Sequence, residues 1–274
     1  MKPKLLISLG CSWTEGVGCY NPPISYDPLN ELSKDEIEYQ VLNHYAKNRD
    51  RFHEMGWPNK VAKRLGFDKV VNLGVGGSSN SAHLKILYEF IEDNDISEYD
   101  VLIIWLMTEP VRFSFYINGR IKNFQKHYID FYQTKSTLMD EYIKEIGDIN
   151  LDPVLEHKFY LKTLENFCTS HNIDLITTSW NPAYRFLFKL YDSKTYLHKS
   201  PRLMKPPKDV DDSGNLKNYS FCRHPNENGY DWISNEIVSG IKNNHPKWYS
   251  DTINENIECI WNGDPRLNSL NNIL

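Results

Sequence analysis

Four short segments of the sequence carry residue types from which a nucleophilic site can be assembled. Leu9-Gly-Cys-Ser-Trp-Thr-Glu-Gly16 sets a serine just past an apolar run, with small residues at the turn. A sharp strand-to-helix turn lifts a hydroxyl above a sheet edge and aims backbone N–H groups at the same point, as a nucleophile requires. Ser12 as a cap of the following helix is the plain structural alternative. A serine hydroxyl is a weak nucleophile at its own pKa, so the first reading demands a base within reach. Of nine histidines, His224 stands in Cys222-Arg-His-Pro-Asn-Glu-Asn-Gly229, a turn-rich segment directly before an amphipathic stretch. It is the candidate base, with a solvated loop histidine as the alternative.

Asn72-Leu-Gly-Val-Gly-Gly-Ser-Ser79 brings three glycines to the end of another apolar run. Glycines there let backbone N–H groups approach a ligand oxygen, as an oxyanion or anion cradle would; a simple strand-to-helix turn explains them equally well. Neither Gly-x-Gly-x-x-Gly nor a P-loop lysine is present. In Trp105-Leu-Met-Thr-Glu-Pro-Val-Arg112, the Thr108 hydroxyl can donate to a developing oxyanion. Arg112 can bind a substrate carboxylate or pin its own loop through an ion pair.

These segments need a scaffold that brings strand ends together. Leu5–Leu9, Val70–Leu73, Val101–Leu106 and Ile173–Thr178 are short apolar runs without polar alternation, which predicts strands buried on both faces. Helical spacing occupies the intervals, over Pro58–Leu65, Ser81–Glu92, Pro153–Ser170 and Tyr230–Ile241. Alternating strands and helices predict a three-layer α/β/α sandwich with a mainly parallel, flavodoxin-like sheet. One such domain is expected over residues 1–243, with insertions at about 19–52 and 113–150 and a polar extension over 244–274. Both insertions follow strand ends, where α/β sheets hold ligands, so they are candidate lids or plain surface excursions.

Composition narrows the function classes. With 274 residues, 40% hydrophobic and 24% charged, the chain can bury a core of its own. A net charge of -5 argues against a broad nucleic-acid-binding surface. Five widely spaced cysteines without Cys-x-x-Cys predict reduced thiols, and no export signal or membrane span is expected, which points to the cytoplasm. Abundant Asn, Lys and Tyr with scarce Ala hint at an AT-rich, viral source.

In order and position, the four segments resemble the sequence blocks of the SGNH (GDSL-like) hydrolases. Gly10-Cys-Ser-Trp-Thr14 is similar to the family's Gly-Asp-Ser-x-Thr block, Asn72-Leu-Gly-Val-Gly-Gly77 to its glycine block, Val101–Arg112 to the third, and His224-Pro-Asn to the last. The resemblance implies that Ser12 is the nucleophile, His224 its base and Gly77 the oxyanion glycine. Three positions depart from the pattern: Cys11 replaces Asp, Thr108 stands where the family has its oxyanion Asn, and Phe221 occupies the place of the triad acid. Asp211, Asp212, Glu109 and Glu15 are the carboxylates available as substitutes.

The implied activity is hydrolysis of a small ester, such as an O-acetyl group on a carbohydrate, through a Ser-His acyl-enzyme mechanism that needs no metal or organic cofactor. The expected partner is a small-molecule or glycan ester. The departures motivate an expectation from another class, a catalytically weak or inactive module of the same fold that binds carbohydrate or protein. Composition alone suggests a third, a structural component of a phage-like particle.

Overall fold

The computed structural model describes residues 2–19, 48, 50–110, 112–117, 120–125, 153–182, 184–191, 193–198, 203–212, 214, 216–220 and 224–261. In chain order the elements are β1 (Lys4–Gly10), α1 (Ser12–Glu15), α2 (Trp57–Arg64), β2 (Lys69–Asn72), α3 (Asn80–Asp93) and β3 (Asp100–Met107). There follow β4 (Arg112–Ile117), β5 (Arg120–Gln125), α4 (Pro153–Ser170), β6 (Asp174–Ser179), α5 (Tyr184–Tyr191), α6 (Glu227–Asn244), a 3-10 turn (Pro246–Trp248) and β7 (Glu258–Trp261).

The main sheet has five strands in the order β6-β3-β1-β2-β7, every pair parallel. Its four central-core runs lack polar alternation because each face is covered by helices. Leu5, Ile7 and Leu9 of β1 join Leu84 and Leu87 of α3, Leu161 and Leu164 of α4, and Tyr184 and Tyr191 of α5 in one core. Leu6 and the even-numbered residues Leu102, Ile104 and Leu106 of β3 pack instead with Val61 and Ala62 of α2 and Ile233, Ile237 and Ile241 of α6. The architecture is therefore a three-layer α/β sandwich, built from the period-2 alternation of strand side chains between two apolar layers.

Chain order reverses at β1, which has β2 on one side and β3 on the other. Open α/β sheets carry their ligand crevice at such a switch point, beyond the carboxyl ends of the strands. Four strands follow the flavodoxin-like arrangement, but the fifth, β7, lies outside β2 rather than beyond β6.

That strand comes from the region expected as a polar extension after residue 243, and this expectation is corrected. Trp248 stacks on Phe67 with centroids 5.6 Å apart, and β7 then pairs with β2 from Lys69↔Glu258 to Asn72↔Trp261. Lys69 Nζ lies 3.1 Å from Glu258 Oε2 across this pair. A four-residue edge strand leaves too short an apolar run to stand out in an Asn-rich tail. The second insertion holds the antiparallel hairpin β4–β5, separate from the main sheet; its remaining residues, and 20–47 of the first, lie outside the described residues. Among the described residues no helix is long and apolar enough to cross a membrane.

Ile260 is fully buried in the core beside β1 and β2. Ile260→Ala is expected to destabilise the fold by about 2–4 kcal/mol, read as a lower denaturation midpoint at unchanged slope. A loss below about 0.5 kcal/mol would show that β7 is dispensable.

Candidate active site

β1 ends on Gly10, with φ 155°, and the chain turns at once into α1. A Cβ on Gly10 would lie 2.0 Å from Thr14 Oγ1 and 2.9 Å from the Leu106 carbonyl, so a side chain would block the fold-back. Thr14 Oγ1 donates to the Leu9 carbonyl at 3.3 Å, and the Cys11 carbonyl accepts from the N–H groups of Thr14 and Glu15. The helix-cap position belongs to Cys11, whose side chain makes no capping bond. Ser12 is the first residue of the helix and is not its cap. Its Oγ lies 2.7 Å from His224 Nε2.

His224 reaches this point from a tightly pinned loop. Ser220 N–H and Oγ both bond the His224 carbonyl, at 2.9 and 3.2 Å. Asn226 donates through Nδ2 to the Lys217 and Tyr219 carbonyls, and its Oδ1 accepts from Gly229 N–H as the N-cap of α6. Tyr230 Oη, in α6, donates to the Val17 carbonyl at 2.9 Å, tying the helix to the exit from α1. A Cβ on Gly18 would meet His224 Cβ at 2.8 Å, which is how closely the two loops approach. Phe221, which the sequence resemblance sets at the place of a triad acid, lies outside the described residues. Of the substitutes, Glu109 Oε2 accepts from Arg112 Nε at 3.2 Å and Glu15 Oε2 from Gly76 N–H at 2.6 Å; Asp212 is exposed.

The turn after β2 consumes nearly all of its own donors. Leu73 N–H bonds the Ser8 carbonyl, Gly74 N–H bonds Asn72 Oδ1, Val75 N–H bonds the Gly10 carbonyl, and Ser78 N–H bonds the Val75 carbonyl. With Gly76 held by Glu15, the N–H of Gly77 is the one in 73–78 that has no partner among the described residues. Gly77 has φ 75°, a left-handed conformation that favours glycine. The N–H of Ser12, orphaned by its position at the start of a helix, is also without a partner among the described residues. A Cβ on Gly76 would lie only 3.9 Å from Ser12 Cβ, so the glycine turn stands directly against the Ser12 turn.

A buried relay holds this turn from below. Trp105 Nε1 donates to His83 Nδ1 at 3.1 Å, His83 Nε2 lies 2.7 Å from Ser78 Oγ, and Ser78 Oγ donates to the Val75 carbonyl at 2.6 Å. Because Nδ1 accepts, the proton sits on Nε2 and His83 is neutral. Burial, reinforced by the nearby Arg112 charge, pushes its pKa down to about 3. Asn72 completes the support by donating through Nδ2 to the Thr14 carbonyl at 2.9 Å.

Thr108 is fully buried one residue beyond β3, its backbone bonded both ways by Asn80, and its hydroxyl has no partner among the described residues. The register Gly10↔Leu106 sets Ser12 and Thr108 two residues beyond the same rung. Arg112 forms the ion pair with Glu109, and its guanidinium lies 5.9 Å from the Trp180 ring. Trp180 stacks on Trp13 at 4.9 Å, and Trp13 meets Tyr219 edge-on at 6.5 Å. This wall links the ends of β3 and β6 to both sides of the Ser12–His224 contact. Of the sequence candidates, Ser12, His224 and the glycine turn converge, while Arg112 pins the wall. Asn72, Asn80, His83 and Trp180 were not legible as site residues, because single polar or aromatic side chains in apolar runs read as ordinary core.

Among the described residues no group of three or more His, Cys, Asp or Glu side chains is placed to hold a metal ion. Two cavities of about 590 and 750 Å³ open at the amino ends of β6 and β3, the edge opposite Ser12. Comparison with protein-family models and with curated protein sequences returns no match.

Folded His83 stays neutral down to about pH 3, whereas the unfolded chain takes up that proton near pH 6.5. Its contribution is therefore complete above pH 6.5 and is lost progressively between there and about pH 3, by up to ~1.4 kcal/mol per pH unit. Denaturant titrations near pH 7.5 and near pH 5 are expected to show a steeper loss for wild type than for His83→Gln. Equal slopes would mean that His83 is not held neutral in the fold.

Proposed function

We propose that this chain is a serine hydrolase of the SGNH type, cleaving a small ester such as an O-acetyl group on a carbohydrate. The observation that carries the reading is the 2.7 Å contact between Ser12 Oγ and His224 Nε2, facing a turn whose Gly77 N–H is left over. A nucleophile, a base and backbone donors on separate elements form the minimum set for acyl transfer.

In this mechanism Ser12 Oγ attacks the ester carbonyl carbon as His224 Nε2 takes its proton. The carbonyl oxygen becomes an oxyanion, held by the N–H groups of Ser12 and Gly77, with the Thr108 hydroxyl as the side-chain donor. Collapse re-forms the carbonyl and breaks the bond to the alcohol oxygen, which receives the proton from His224. Water then attacks the acyl-Ser12 ester with His224 again as base; the carboxylic acid leaves and Ser12 regains its proton. Trp13, Trp180 and Arg112 form a wall beside Ser12.

Wild-type protein is expected to be labelled by a fluorophosphonate probe and to turn over a small acetyl ester, with both lost in Ser12→Ala. His224→Ala should lower turnover by about 10³-fold or more. Absence of both labelling and turnover in fresh wild-type protein would overturn the hydrolase reading and leave the fold as a binding scaffold.

A further inference from the structure

Glu15 is an expensive residue to place where it is. Only 1% exposed, it puts a carboxylate into the interior one turn after the nucleophile, where a charge must be matched by donors. Its Oε2 accepts from Gly76 N–H at 2.6 Å, a short bond. This side-chain bond joins α1 to the tip of the glycine turn; at the turn's base Asn72 Nδ2 donates to the Thr14 carbonyl of α1, and Val75 N–H donates to the Gly10 carbonyl at the end of β1.

The peptide that matters lies between Gly76 and Gly77, because it carries the unused N–H. Two glycines in succession leave that peptide plane with more rotational freedom than any other pair of residues would. It is restrained on one side by the bond from Ser78 N–H to the Val75 carbonyl, and on the other by Glu15 acting on Gly76 N–H. With the second restraint removed, the Gly77 N–H is free to reorient. We infer that Glu15 is a positioning residue that clamps the glycine turn through Gly76 and thereby aims Gly77 N–H at the oxyanion position. This rests on the hydrolase reading above for the purpose of the aim, but the clamp itself is a property of the fold.

Two substitutions of similar volume separate the acceptor from the charge. Glu15→Gln removes the charge and keeps an oxygen that can accept from Gly76 N–H. Glu15→Met removes both, leaving a flexible apolar side chain suited to a buried position. Glu15→Gln is expected to retain kcat within about 5-fold, while Glu15→Met loses about 10²-fold in kcat with little change in KM, the size of effect seen when one oxyanion donor is misplaced. In parallel, amide exchange of Gly76 by NMR should stay slow in wild type and Glu15→Gln and become fast in Glu15→Met. Wild-type kcat in Glu15→Met, equal losses in the two variants, or unchanged Gly76 exchange in Glu15→Met would each overturn the clamp. A wild-type protein that neither labels nor turns over would instead overturn the hydrolase reading, and the exchange measurement would still decide the clamp.

Discussion

An all-parallel sheet cannot be sewn together with tight turns. Each strand must be followed by a crossover that returns the chain to the opposite edge, so the carboxyl ends of all strands emerge on one side of the molecule. In this protein the constraint brings the ends of β1, β2 and β3 into adjacency, with Ser8 opposite Asn72 and Gly10 opposite Leu106. Ser12, the glycine turn and Thr108 follow from those ends within a few residues. The site is a consequence of strand polarity before it is a consequence of any side chain.

Close backbone contact then converts adjacency into geometry. A Cβ on Gly74 would lie 2.5 Å from Glu15 N, and one on Gly10 would collide with Thr14. Glycine at these positions lets α1 rest on the neighbouring turn with nothing between them. Asn72 and the Trp105–His83–Ser78 relay fix that contact from beneath, and they do so with neutral groups. A charged His83 would lose its acceptor at Nδ1 and break the link to Trp105.

His224 arrives by a different route. His224 belongs to the loop before α6, far from Ser12 in sequence, and it is placed by the packing of α6 against α2 and by the Tyr230 bond to the Val17 carbonyl. Lys60 and Arg64 of α2 both pair with Asp231 of α6, which fixes the two helices on the same face of the sheet. The aromatic wall from Tyr219 through Trp13 to Trp180 joins this loop to the strand ends.

Much of this was legible without coordinates. Unbroken apolar runs such as Val101–Leu106 announced strands buried on both faces, and the helical spacing of apolar residues over Tyr230–Ile241 announced the body of α6. Gly10, Ser12, Gly77 and His224 were recognisable because a turn's chemistry is written in consecutive residues. The fifth strand was not, since Glu258–Trp261 is four residues long and pairs with β2, far from it in sequence. Nor were the support of the turn by His83 and Asn72, or the distance from Ser12 to His224. Local sequence determines where the chain must turn and which segments must be buried, because those depend on backbone sterics and side-chain polarity. Which distant polar atoms meet, and which N–H groups remain unused, is decided only when helices and strands pack in three dimensions.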